Sequence, residues 1–240
     1  MKFRRLLSAG VLSSFLVFAQ AADPAAVDIS REPHHHLVLE NSSVRVFLVN
    51  VAPHESTLLH RHGHDYISIT LGESEVSNEV EGKSPVHLNL RDAETYFLPA
   101  NCAHLARNLA TTPFRNLIVE LLQDEKARKT PPPKWDQERG LQVFNGGTQE
   151  ILFVMDGVRV SEIELAPGGV VPSHHHNRPH LLVAVSDLEI GSDGVGMGPM
   201  PGHFKSGDVK WLPGGYTQAL TNVGRKPAKI VTLEFASPKE

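Results

Sequence analysis

Hydrophobic positions along the chain fall in short runs divided by turn residues. Val44 to Val51, Tyr66 to Leu71, Arg115 to Leu122, Gly157 to Leu165, Leu181 to Val185 and Lys229 to Phe235 are rich in Val, Ile, Leu and Phe. Gly, Pro, Asn or Asp punctuates most of the intervals, which predicts β-strands. No stretch sustains an amphipathic helical period over three turns. Many short strands in this much chain predict a sandwich, a jelly roll or a small barrel. The glycine-rich run Gly191 to Gly198 lacks the spacing of a dinucleotide-binding loop and no helix follows it, so it is expected to form a hairpin loop.

The strand pattern occurs twice. Val44-Arg45-Val46 recurs as Val158-Arg159-Val160, Ala52-Pro53 as Ala166-Pro167, and His60-Arg61-His62 as His174-His175-His176. Pro99, Asn108 and Glu120 recur as Pro213, Asn222 and Glu234, and every pair is 114 residues apart. Chance matches would not share one offset, so the chain holds two homologous units. Their expected bounds are 33–122 and 141–236. Between them, residues 123–140 carry a charged run and Pro131-Pro132-Pro133, the marks of a linker. Asp23 to Pro33 reads as a flexible leader of similar character.

Ahead of that leader, Lys2, Arg4 and Arg5 precede an apolar run from Leu6 to Phe18 and then Ala19-Gln20-Ala21. This is the layout of a secretory signal peptide over residues 1–21, cleaved after Ala21. The expected product is exported, periplasmic or secreted, with no later run long enough to span a membrane. Its loss leaves 20 basic and 27 acidic residues, a net charge of −7 against −4 for the full 240 residues. Without a basic stripe, nucleic acid is a poor partner. Hydrophobic residues at 40% and charged residues at 21% argue for a folded core. The single cysteine, Cys102, excludes an internal disulfide and a thiolate-only zinc cluster.

Histidine changes the picture, with 14 in the chain. Residues two apart on a strand point to the same face, so His60 and His62 can converge on one ion. His104 follows the turn Pro99 to Cys102, and Asp65 lies three residues after His62. By contrast, His34-His35-His36 reads as exposed or packing rather than catalytic, and His175 should point away from its neighbours.

Gly168-x5-His174-x-His176-x3-His180 resembles the first cupin motif. Gly207-x5-Pro213-x-Gly215-x2-Gln218-x3-Asn222 resembles the second, in which a histidine normally stands at the place of Gln218. The first unit has His54, Ala93 and Asn101 at the motif glycines but keeps His60, His62, His104 and Asn108. The chain therefore resembles a secreted bicupin over nearly all of its mature length. The resemblance implies an all-β fold of two tandem cupin-type β-barrels (double-stranded β-helix, or jelly roll), packed through a shared face. It implies a metal site at His60, His62 and His104, with Asp65 in the place of the usual glutamate. His64 competes for that place. Strand alternation sets Asp65 with Ile67, Ile69 and Leu71, and His64 with Tyr66, Ser68 and Thr70. If the apolar face lines the barrel, Asp65 is the ligand.

In the second unit His174, His176, His180 and Gln218 form either a second, weaker metal site or a polar pocket in a decayed duplicate. The metal expected is one divalent transition ion, Fe, Mn, Ni, Cu or Zn. Its partner is a small-molecule substrate or ligand, with homo-oligomerisation left open. The function expected is a dioxygenase-like oxidoreductase at the N-terminal site. The alternatives are a redox-neutral lyase, isomerase or decarboxylase, and a non-catalytic metal- or ligand-binding bicupin.

Overall fold

The computed structural model describes residues 25–122, 140–155, 157–195 and 202–235. The expected signal peptide and all of the expected linker except Gly140 lie outside them. The described chain is β throughout apart from one 3-10 turn at Ile29–Arg31. No helix among the described residues is long and apolar enough to cross a membrane.

The first unit comprises β1 (Val27–Asp28), β2 (His35–Glu40), β3 (Val44–Val51), β4 (His60–Arg61), β5 (Tyr66–Thr70), β6 (Ser74–Val80), β7 (Val86–Leu90), β8 (Thr95–Leu98), β9 (Ala103–Asn108) and β10 (Phe114–Leu121). These strands form two sheets, β1-β4-β9-β6-β7 and β2-β3-β10-β5-β8. The second unit comprises β11 (Leu141–Phe144), β12 (Gly147–Met155), β13 (Val158–Leu165), β14 (Val170–His176), β15 (His180–Ala184), β16 (Leu188–Val195), β17 (His203–Phe204), β18 (Val209–Leu212), β19 (Tyr216–Asn222) and β20 (Ala228–Phe235). Its sheets are β11-β12-β13-β20-β15-β18 and β14-β19-β16-β17. The order β2-β3-β10-β5-β8 thus returns as β12-β13-β20-β15-β18, and β4-β9-β6-β7 as β14-β19-β16-β17. Gly191 to Val195, expected in a loop, belong to β16 and pair with β19. Ladder hydrogen bonds need only backbone, so a strand tolerates a composition that reads as a turn.

The duplication extends to backbone conformation. Gly168, Gly207 and Gly215 have φ of 76°, 96° and 85°. At the matching positions His54, Ala93 and Asn101 keep φ of 64°, 65° and 64°. Side chains pay a steric penalty there of roughly 1–2 kcal/mol each. The first unit therefore holds the turns of the motif without its glycines.

Alternation along the strands divides the core into three. Phe47, Val49, Val51, Tyr66, Phe114 and Ile118 fill the first barrel, while Ile163, Leu165, Leu182, Tyr216 and Ile230 fill the second. The third cluster joins the units: Val44, Val46, Ile67, Ile69, Leu117 and Val119 pack with Val158, Val160, Leu181, Val183, Val231 and Leu233. This overturns the expectation that Ile67, Ile69 and Leu71 line the first barrel. Strands buried on both faces have two apolar sets, and here the more apolar set faces the other barrel. The inward face of β5 carries Tyr66, Ser68 and Thr70 instead, all buried.

Residues 25–33 are not a loose leader. Val27 and Asp28 pair in parallel with His60 and Arg61, and Ile29 is fully buried in the first core. The matching stretch of the second unit folds back as β11 on β12. The two-residue connection Asn145-Gly146, with Gly146 at φ 71°, is a strong hairpin signal. The first unit has Arg31-Glu32 at those positions, so its segment continues across the barrel.

Candidate metal centre

His60 and His104 are direct cross-strand partners on β4 and β9, and His62 lies one residue past β4. Their ring centroids are 4.5 Å (60–104), 5.2 Å (60–62) and 5.4 Å (62–104) apart. Two of the rings are held at Nδ1. His60 Nδ1–H donates to the Leu58 carbonyl (2.8 Å) and His104 Nδ1–H to Asn78 Oδ1 (2.8 Å). His62 turns Nδ1 toward Glu120 Oε1 at 3.7 Å and stacks on Tyr66 with centroids 3.8 Å apart. Glu120 is fully buried, and its Oε2 accepts from Arg45 Nε (2.9 Å) and Nη2 (2.7 Å).

The three rings lie side by side within the first unit. His62 and His104 Nε2 are 3.2 Å apart, and His60 Nε2 is buried with no hydrogen-bond partner. Two nitrogens bound at about 2.0–2.1 Å to one ion stand roughly 3 Å apart at a right angle. With Nδ1–H tautomers in both rings, lone pairs would face each other at that distance and fit a cation between them. Burial lowers the pKa of all three rings. His60 falls to about 4 and His104 to about 2, with repulsion from neighbouring imidazoles adding to both. His62 also falls, although its contact with Glu120 opposes the shift. Neutral imidazole is the form that ligates a metal.

Asp65 does not join them. Its Oδ1 accepts from the Ala100 backbone N–H at 2.7 Å, and its carboxylate is within ion-pairing distance of none of the three histidines. Asp65 has the parity of Ile67, and that parity faces the other barrel. His64, the competing candidate, is exposed in the bend before β5. The carboxylate beside the site is Glu120, which recurs as Glu234 at the shared offset, as does its partner Arg45 as Arg159. That recurrence was the signal by which both were detectable. His35, expected to be exposed or packing, is 8% exposed with its ring 4.6 Å from that of His60.

The second unit repeats the scaffold with different chemistry. His174 Nδ1–H donates to the Pro172 carbonyl (2.7 Å), as His60 does to Leu58. His176 stacks on His180 at 4.1 Å, as His62 stacks on Tyr66, and His180 Nε2 pairs with the Tyr216 hydroxyl at 2.9 Å. Gln218 stands opposite His174 and donates from Nε2 to His176 Nε2 at 3.0 Å. An amide N–H thus stands where the first unit brings His104 Nε2 to His62 Nε2. Burial, with repulsion from nearby imidazoles, lowers His176 to about 3; burial lowers His180 to about 4. These residues line a cavity of about 530 Å³ that Gln149, Ile163, Leu182 and the Arg159–Glu234 pair also border.

Paired jelly-roll barrels with a histidine cluster inside define the class: the protein has the fold of a bicupin. No family model and no curated protein matches its sequence. Solved structures match its fold. Vicilin from tomato (Solanum lycopersicum) superposes with a TM-score of 0.62 at 14% identity, covering 81% of this chain and 75% of its own. AerE from Microcystis aeruginosa gives 0.59 at 14% identity, over 86% of this chain and 99% of its own. A variant of salicylate 1,2-dioxygenase from Pseudoaminobacter salicylatoxidans, in complex with gentisate, gives 0.57 at 14% identity, over 85% and 75%.

Proposed function

We propose that the protein is a metal-dependent, dioxygenase-like oxidoreductase acting on a small molecule, with one divalent transition metal (Fe, Mn, Ni, Cu or Zn) held by His60, His62 and His104. The observation that carries this reading is the clustering of three neutral imidazoles, His60 and His62 buried and His104 half-buried, each with its Nδ1 bonded to or facing an acceptor. Such outer partners fix ring orientation and raise ligand basicity. A bound redox-active ion would supply the means to bring a chelating substrate and dioxygen together, and a redox-inert one a Lewis acid. Around it, Glu120 and Arg45 hold His62, Tyr66 covers its ring face, and Asn78 holds His104. The second unit, where Gln218 engages His176, is assigned weaker metal binding or none. Export after cleavage at Ala21 belongs to the same proposal.

The test is anaerobic loading with each of the five metals. Each form is then screened against β-diketones, flavonols, hydroxy acids and sugar derivatives while oxygen uptake is followed. Oxygen consumption with one metal and one substrate class supports the dioxygenase; product without oxygen supports a lyase, isomerase or decarboxylase. One observation favours the non-catalytic bicupin as second reading: His60 and His62 of the first site are buried, while a cavity of about 530 Å³ lies in the second unit. Ligand binding without turnover in every metal form would establish it.

A further inference from the structure

One more imidazole lies against two of the three histidines. A ring nitrogen from each of His35, His60 and His62 lies within 4.8 Å of the other two, and all three residues are buried. We propose that His35 is a fourth imidazole ligand of the first-unit metal, delivered by the N-terminal segment and oriented by Glu32. The inference rests on the metal reading of that unit.

The argument begins with the buried carboxylate. Glu32 is 1% exposed, and an uncompensated anion there would be costly. Its Oε2 accepts from His35 Nδ1 (2.5 Å) and the His34 backbone N–H (2.8 Å). Its Oε1 accepts from the Leu58 backbone N–H and His34 Nδ1, both at 3.0 Å. With Nδ1 committed to Glu32, His35 has Nε2 left to offer. This is the same division of labour seen in the other three rings, whose Nδ1 atoms face the Leu58 carbonyl, Glu120 and Asn78. Leu58 ties the two systems together, because its N–H serves Glu32 and its carbonyl serves His60. Pairing of His35 with Val49 sets its side chain inward, edge-on to Phe47.

The second unit shows what the device replaces. At the shared offset, Glu32 corresponds to Gly146 and His35 to Gln149. There the chain turns back as a hairpin and Gln149 merely borders the cavity. Among the described residues, a histidine bonded to a fully buried carboxylate occurs in the unit that keeps His60, His62 and His104. A Glu32–His35 pair serving purely as a staple for the segment would explain its burial but not the convergence of its ring on His60.

Full-length protein loaded with Cu(II) decides the matter. Electron spin echo envelope modulation counts coordinated imidazoles, and competition with a chelator gives affinity. Four imidazoles are expected in the wild type and three in His35→Ala, with affinity falling by at least about 100-fold. Glu32→Gln should keep four and lose roughly 10–100-fold in affinity, as expected for an outer partner. Three imidazoles in the wild type, or unchanged affinity in His35→Ala, would overturn the role of His35 while leaving the metal site standing. No stoichiometric metal in the wild type would instead sink the metal reading itself. If His35→Ala does not fold, the wild-type imidazole count still gives the answer.

Discussion

At the scale of single residues, His104 and Asp65, grouped by sequence, separate by what they touch. His104 brings Nε2 to 3.2 Å from His62 Nε2, so on the proposed reading His104→Ala should abolish tight metal binding and turnover, measured by elemental analysis and assay. Asp65 instead receives the Ala100 N–H in the turn leading to β9. Asp65→Ala should lower stability by about 1.5–3 kcal/mol, the usual worth of a hydrogen bond to a charged group. Its metal content should stay unchanged, which separates its role from that of His104 in one preparation. The histidines also set the pH response of the metal-free protein. His60 at about 4, His104 at about 2, His176 at about 3 and His180 at about 4 all titrate below the ordinary 6.5. Their unfolded forms take up protons first, so stability is full above about pH 6.5 and is lost as pH falls through that value. Glu32, raised by burial but lowered more by its histidine and N–H donors to about 2, adds a further loss below about 4.5. Urea midpoints between pH 8 and pH 4 should decline monotonically; a flat profile would mean the rings are not held neutral.

At the scale of elements, the difference between the units lies in one segment and one turn. The strand before β12 hairpins because Gly146 takes a positive φ, whereas Arg31-Glu32 sends its counterpart across the first barrel. Ile29 anchors that crossing at 0% exposure. Ile29→Ala should therefore cost about 2–5 kcal/mol by chemical denaturation, the range for a buried isoleucine. A cost below about 0.5 kcal/mol, typical of surface substitutions, would show that the segment is peripheral. The strand runs themselves were legible from composition and punctuation, down to the cross-barrel symmetry of β3 with β13 and β10 with β20. The N-terminal segment was not, because charge and proline describe a leader equally well until its partner β4 is known.

At the scale of the whole molecule, one apolar cluster joins both barrels, and polar links reinforce it. Arg115 donates to the Ser206 hydroxyl (3.1 Å) and carbonyl (2.6 Å), and Lys229 pairs with Asp92 at 3.3 Å. With so much of each barrel's hydrophobic surface buried against the other, neither should unfold alone. Calorimetry of the metal-free protein should show a single transition with equal calorimetric and van't Hoff enthalpies. Two resolved transitions would show that the cluster contributes little coupling.

Sequence by itself determined the duplication and the β architecture, and it singled out His60, His62 and His104 as candidates. Each of these is written locally, in spacing, in strand period, or in a repeat at one offset. Tertiary structure decided which face of β5 looks inward, and with it the fate of Asp65. Period-two alternation assigns residues to two faces but does not say which face meets the barrel interior when both are buried. It also decided the company of the triad. Glu120, Arg45, Glu32 and His35 come from strands and turns distant in sequence, and only the closing of the barrel and the crossing of the N-terminal segment bring their nitrogen and oxygen atoms to one place.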